Sequence, residues 1–156
     1  MKNVVCCFIG HRIIEKEIET YLKNRLEIII KSLITKNNVN TFMFGSKSQF
    51  NNLCYDIVTK TMKEYPYIKR VYVRAEYPYI DNDYKEYLLS KYEETYYPDN
   101  VIGTGKLVYI KRNYDMINNS DICLFYYDDN NSKVNSGTKI ALNYANKHNK
   151  KIIQIK

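Results

Sequence analysis

The stretch Ile122-Cys123-Leu124-Phe125-Tyr126-Tyr127, followed by Asp128-Asp129-Asn130-Asn131-Ser132 and then by Asn135-Ser136-Gly137-Thr138, decides the fold. Its first part is a run of β-branched and aromatic residues, the composition of a buried strand. The second part is a polar loop. The third opens a helix whose apolar positions, Ile140, Ala141, Tyr144 and Ala145, recur at helical spacing. Strand, loop and helix in that order set a small glycine-containing turn at a helix start, just past the carboxyl end of a strand. Free backbone N–H groups point outward there and the helix dipole adds roughly half a positive charge, so such turns in α/β proteins hold phosphate.

The same alternation runs through the amino-terminal half. Val4-Val5-Cys6-Cys7-Phe8-Ile9 is a continuous apolar run, the signature of a central parallel strand covered on both faces, and Gly10-His11-Arg12 ends it. A helix from about Ile14 to Lys36 carries Ile14, Ile18, Leu22, Leu26, Ile29 and Leu33 on one stripe, with Asn37-Asn38 as its stop. Thr41–Phe44 reads as a second strand, broken by Gly45-Ser46-Lys47-Ser48. A second helix, roughly Phe50–Lys63, stops at Tyr65-Pro66, because proline lacks the donor and clashes with the preceding turn. Ile68–Val73 is a third strand, ending at Arg74-Ala75-Glu76. This order predicts an α/β fold: a Rossmann-like, doubly wound, mostly parallel sheet flanked by helices in three layers, as one domain over residues 1–156. Ligands of such sheets lie beyond the carboxyl ends of the strands, at the switch point beside the first strand. Gly10, Gly45 and Gly137, three of the chain's five glycines, all fall at predicted strand ends or the turn beyond.

Residues from about 77 to 100 read as an insertion of different texture, dense in tyrosine and bounded by Pro78 and Pro98. A helix over about Asp83–Glu94 puts Tyr84, Tyr87, Leu88 and Tyr92 on one face. Such a helix is either half-buried, with tyrosine standing where leucine is usual, or a lid or partner surface, since tyrosine offers stacking area and a polar tip. Gly103-Thr104-Gly105-Lys106 looks like half a dinucleotide fingerprint, but it precedes a predicted strand, Leu107–Ile110, instead of following one, so the mechanism fails. Lys111-Arg112 is then expected to begin a short helix with Tyr114, Met116 and Ile117, and Lys151–Ile155 to close the sheet.

Composition narrows the function classes. The chain has 156 residues and is 45% hydrophobic, enough for a real core. No apolar run approaches the roughly 20 residues that span a bilayer, so a cytoplasmic protein without membrane contact is expected. Its four cysteines lack CxxC spacing and read as buried thiols, with no metal and no cofactor expected. The net charge of +7 invites nucleic acid as a partner, but the basic residues are scattered among Glu and Asp. Lysine, asparagine, isoleucine and tyrosine are also the residues of A/T-rich codons. A net positive field equally favours a small anionic ligand.

Four loops should meet on one rim: Gly10-His11-Arg12, Gly45-Ser46-Lys47-Ser48, Arg74-Ala75-Glu76 and Ser136-Gly137-Thr138-Lys139. Their N–H groups, hydroxyls and cations are the inventory of a phosphate or nucleotide site. Arg112, at a helix start, adds a bidentate clamp. The bland alternatives are solvated charges and caps: Ser46 or Ser48 for the second helix, Asn135 or Ser136 for the last. His11 is the histidine placed to meet a ligand, although no Cys or Asp pattern makes it a catalytic base. Glu76 is a candidate for binding a ribose hydroxyl or for acid–base work.

At Cys7-Phe8-Ile9-Gly10-His11-Arg12, Phe44-Gly45-Ser46 with Phe50-Asn51, Tyr65-Pro66-Tyr67-Ile68-Lys69, Arg112-Asn113-Tyr114-Asp115-Met116, Ser120-Asp121 and Ser136-Gly137-Thr138-Lys139-Ile140-Ala141, the chain resembles the SLOG superfamily. These Rossmann-like domains group the DprA-type proteins with the Lonely Guy nucleotide hydrolases, and the resemblance is nearest to the superfamily's small bacterial members. It implies a nucleotide or nucleotide-derived ligand and pairing into homodimers through helices. Lonely Guy enzymes cleave an N-glycosidic bond with an arginine, matched by Arg112, and a glutamate after the Gly-Thr turn, whose position is Ala141 here. The preceding Pro-Gly-Gly is also absent. Alanine neither stabilises an oxocarbenium-like centre nor orients water. The expectation is therefore a module that senses or sequesters a small anionic nucleotide-like ligand. The alternatives are an N-glycoside hydrolase or transferase on nucleoside 5′-monophosphates, with Arg112 and Thr138 on phosphate and Glu76 as substitute acid–base group, and a protein associated with single-stranded nucleic acid.

Overall fold

In the computed structural model, residues 2–128 and 136–155 are described; Asn135 and the loop residues from Asp129 to Ser132, named above, lie outside them. Six strands form one sheet among the described residues: β1 (Val5–Gly10), β2 (Thr41–Phe44), β3 (Lys69–Val73), β4 (Glu94–Tyr96), β5 (Ile122–Tyr126) and β6 (Lys151–Ile155). Their order is β4-β3-β2-β1-β5-β6, and every pairing is parallel. The helices are α1 (Lys16–Lys36), α2 (Gln49–Thr61), α3 (Asn82–Lys91), α4 (Val108–Asn118) and α5 (Gly137–Lys147). The chain winds outward from β1 to β4, crosses back, and continues from β5 to β6. This is the doubly wound, three-layer α/β/α arrangement of Rossmann-like proteins, with its switch point between β1 and β5.

The apolar run of β1 is continuous because both faces of that strand are covered. Cys6 and Phe8 point into a core with Leu22, Leu26, Ile30 and Leu33 of α1 and Phe50, Cys54, Ile57 and Val58 of α2. Cys7 and Ile9 point the other way, to Met116 and Ile117 of α4 and Ala141, Leu142 and Ala145 of α5. Strand β5 alternates likewise, with Ile122, Leu124 and Tyr126 on the first side and Cys123 and Phe125 on the second. A strand with two buried faces has no position left for a polar residue. All four cysteines are buried free thiols, and burial pushes the Cys6 and Cys54 thiols well above their ordinary range.

Local signals end the elements where the sequence indicates. Asn38, just past α1, takes φ 59°, the left-handed turn that asparagine tolerates. Ser48, not Ser46, caps α2 by accepting from the Asn51 N–H at 3.1 Å, and Ser136 caps α5 by accepting from Lys139 N–H at 3.1 Å.

Three readings change, one being the helix expected to begin at Lys111-Arg112, which starts at Val108 and puts Arg112 in its second turn. Leu107–Ile110 is no strand: a 3-10 turn over Gly105–Leu107 leads directly into α4 at Val108. The β-branched composition there is overridden by topology, because joining the edge strand β4 to the central β5 in parallel needs a crossover. The helix read over Asp83–Glu94 ends at Lys91, and Glu94-Thr95-Tyr96 becomes β4. Residues 77–100 thus supply α3 and the edge strand. Arg70 fixes that edge, forking onto Glu93 at 3.0 and 2.7 Å and reaching Tyr55 and Thr59 with its third nitrogen. The fork raises the Arg70 pKa and lowers that of Glu93. Among the described residues, no helix is long and apolar enough to cross a membrane.

Candidate functional site

A cleft of about 1650 Å³ opens beyond the carboxyl ends of the strands. Its lining includes Gly10, His11 and Arg12 after β1, Gly45, Ser46 and Lys47 after β2, Arg74 and Glu76 after β3, Arg112 on α4, and Ser136, Gly137 and Thr138 at the start of α5. Of the rim loops named above, Lys139 alone lies outside the lining. The convergence follows from parallel topology, since each strand delivers the loop after it to the same end of the sheet.

Arg112 forms the floor. It is 5% exposed, its Nε donates to Asn113 Oδ1 at 3.0 Å, and its Cζ sits 5.7 Å from the Tyr109 ring centroid. Among the described residues it makes no ion pair; the salt bridges there join Lys69 to Glu94 and Arg70 to Glu93. Burial lowers its pKa, which expresses the cost of holding a cation away from water. Its place depends on Gly45. A Cβ on Gly45 would stand 2.8 Å from both Cδ and Nε of Arg112 and 2.5 Å from the Met116 sulfur. Gly10 has a different purpose: a Cβ there would come within 2.3 Å of the Phe50 ring. These two glycines allow side chains to lie against backbone.

Gly137 is the contrasting case, with no described residue within 4 Å of an added Cβ. It is the first residue of α5, and among the described residues the Gly137 and Thr138 N–H groups have no hydrogen-bond partner. Open backbone donors at a helix start, with the Thr138 hydroxyl beside them, are the features that accept an oxyanion.

His11 ties the two central strands together. Its Nε2 accepts the Asp128 N–H at 2.8 Å, and its ring packs on Tyr126 and Tyr127 at 5.4 and 5.5 Å. An accepting Nε2 carries a lone pair, so the imidazole is neutral with its proton on Nδ1. Desolvation lowers its pKa. On this geometry His11 shapes the rim through Asp128.

Glu76 is exposed at the cleft edge and accepts the Tyr109 hydroxyl at 2.5 Å, which raises the Tyr109 pKa. Arg74 also faces the cleft; its Nε is buried without a partner, while its Nη1 reaches Thr95 Oγ1 at 3.4 Å. Ala141 is 1% exposed and packed with Ile9, Met116 and Phe125. That face of α5 is closed by apolar side chains.

Sequence reasoning missed two contributors. Asn51, 3% exposed, bridges the ends of β1 and β2 by donating to Phe8 C=O and accepting from Gly45 N–H, each at 3.3 Å. A single asparagine inside a helix carries no signal of that role. The other is Tyr109, hidden inside the supposed strand; reading it on a helix, three residues before Arg112, would have shown that both share a face.

Neither a protein-family model nor a curated protein matches the chain.

Proposed function

We propose that the cleft binds a nucleotide or nucleotide-derived anion without turning it over, as a sensing or sequestering domain of the SLOG type. The observation that carries this reading is Arg112, a buried guanidinium at the cleft floor with no described carboxylate paired to it. A buried charge is costly unless compensated, and a phosphate entering the cleft supplies that compensation through two parallel N–H···O bonds. The open donors at the start of α5 favour the same charge.

A glycosidase reading has one observation in its favour: the Glu76 carboxylate lines the same cleft and leaves Oε2 without a hydrogen-bond partner among the described residues. The apolar packing around Ala141 weighs against it, since the carboxylate that such chemistry uses at this position is missing.

Thermal shift with nucleotides, cyclic nucleotides and ADP-ribose derivatives tests the binding reading. A ligand at a hundred times its Kd adds about 2.7 kcal/mol, roughly 5–10 °C for a chain of this size. The shift should vanish in Arg112→Gln. A flat response across the panel in the wild-type protein overturns the proposal.

A further inference from the structure

The cleft has two chemically different walls. One side is built from the loops after β1 and β2 and the start of α5, and it offers cations, hydroxyls and backbone donors. The other is built from the end of β3, the segment before α3, the first turn of α3, and α4, and it offers Tyr72, Tyr77, Tyr79, Tyr84 and Tyr109. Arg112 stands where the two meet, with the Tyr109 ring centroid 5.7 Å from its Cζ.

We propose that the tyrosine wall is a base-stacking subsite, so that the ligand is a nucleoside phosphate whose planar base lies on these rings while its phosphate reaches Arg112. The inference rests on the reading of the cleft as a phosphate site and adds the chemical class of the group beside the phosphate. Three of the rings are held open to solvent: Tyr79 is 94% exposed, Tyr77 54% and Tyr109 49%. Large rings left in water at the mouth of a concave site are platforms without a partner, and a heteroaromatic base stacks on such faces whatever its sequence of ring substituents. The wall is braced from behind. Tyr77 meets Tyr84 edge-on at 6.4 Å and 84°, and Tyr84 stacks on Tyr87 at 6.2 Å and 15°. Tyr109 is fixed by its hydrogen bond to Glu76. Inorganic phosphate or a sugar phosphate would engage only the polar wall.

Calorimetric titration of the full chain with the adenosine, guanosine, cytidine and uridine 5′-monophosphates and with ribose 5-phosphate tests the subsite. At least one nucleotide should bind roughly 5- to 150-fold more tightly than ribose 5-phosphate, the range that a stacked base contributes. Tyr79→Ala, at a position too exposed to disturb the fold, and the double variant Tyr77→Ala/Tyr79→Ala should move the nucleotide toward the sugar phosphate and leave the sugar phosphate unchanged. Equal affinity for ribose 5-phosphate and every nucleotide, with both lost in Arg112→Gln, overturns the stacking subsite and leaves the phosphate site standing. Nucleotide affinity untouched by either tyrosine variant overturns it as well. No binding of any probe overturns both readings.

Discussion

The Asp128 backbone N–H donates to His11 Nε2 at 2.8 Å, closing the gap between the ends of β1 and β5 at the switch point of the sheet. Protonating Nε2 removes the lone pair that accepts this bond. Because desolvation lowers the folded pKa below 6.5, the unfolded chain binds more protons between those two values, and stability falls as pH drops through that window. The melting temperature should therefore decline from pH 7.5 toward pH 5.5 in the wild-type protein. His11→Gln, which keeps an acceptor that does not titrate, should flatten that slope; an identical slope in both proteins rejects the role.

Arg112→Met separates stability from function. It removes a buried cation that forms no ion pair among the described residues and retains an unbranched side chain in the same space. Replacing buried charge by packed apolar groups is often neutral or stabilising by about 1 kcal/mol or more, so the ligand-free melting temperature should hold or rise by about 2–4 °C. Binding of phosphate-bearing ligands should be lost at the same time. A marked destabilisation would show that Arg112 serves the fold.

The glycines should respond unequally to alanine. At Gly10 the new methyl meets the rigid Phe50 ring, and a loss of roughly 1–3 kcal/mol in urea unfolding is expected. At Gly45 it meets the buried Arg112 and Met116 side chains, so a loss of stability should be accompanied by a fall in phosphate affinity that Gly10→Ala does not share. At Gly137, open to space among the described residues, stability should be unchanged or rise by about 0.4–1 kcal/mol.

Turnover is checked directly. Incubating the protein with nucleoside 5′-monophosphates and resolving the products chromatographically should show no free base. If base is released, Glu76→Gln should abolish the release, and activity unchanged in that variant would remove Glu76 from the chemistry.

What the sequence revealed followed burial. The apolar runs Val4–Ile9 and Ile122–Tyr127 hold β1 and β5, strands buried on both faces, and uninterrupted apolar runs of that length between turn signals read as such strands. The site loops were legible for the same reason, because fixing parallel strands fixes which loops share an end. β4 was hidden because Glu94-Thr95-Tyr96 is a short edge strand, half exposed, with no apolar pattern; its anchor is the Arg70–Glu93 pair, which joins residues far apart in sequence. Leu107–Ile110 misled because β-branched residues prefer strands only weakly, and a connection between parallel strands outranks that preference. The division of the cleft into polar and aromatic walls could not be read, since the tyrosines arrive from β3, the segment before α3, α3 itself and α4.

Gly45 also bears on how fast and how cleanly a ligand would be captured. By leaving room for Arg112 to lie between backbone, Met116 and the Tyr109 ring, it immobilises the guanidinium before any ligand arrives. An arginine side chain has about 2 kcal/mol of rotamer entropy to lose, and here that loss belongs to folding, not to association. The cation waits in a fixed orientation, and recognition of a planar oxyanion becomes a matter of fit to a rigid fork.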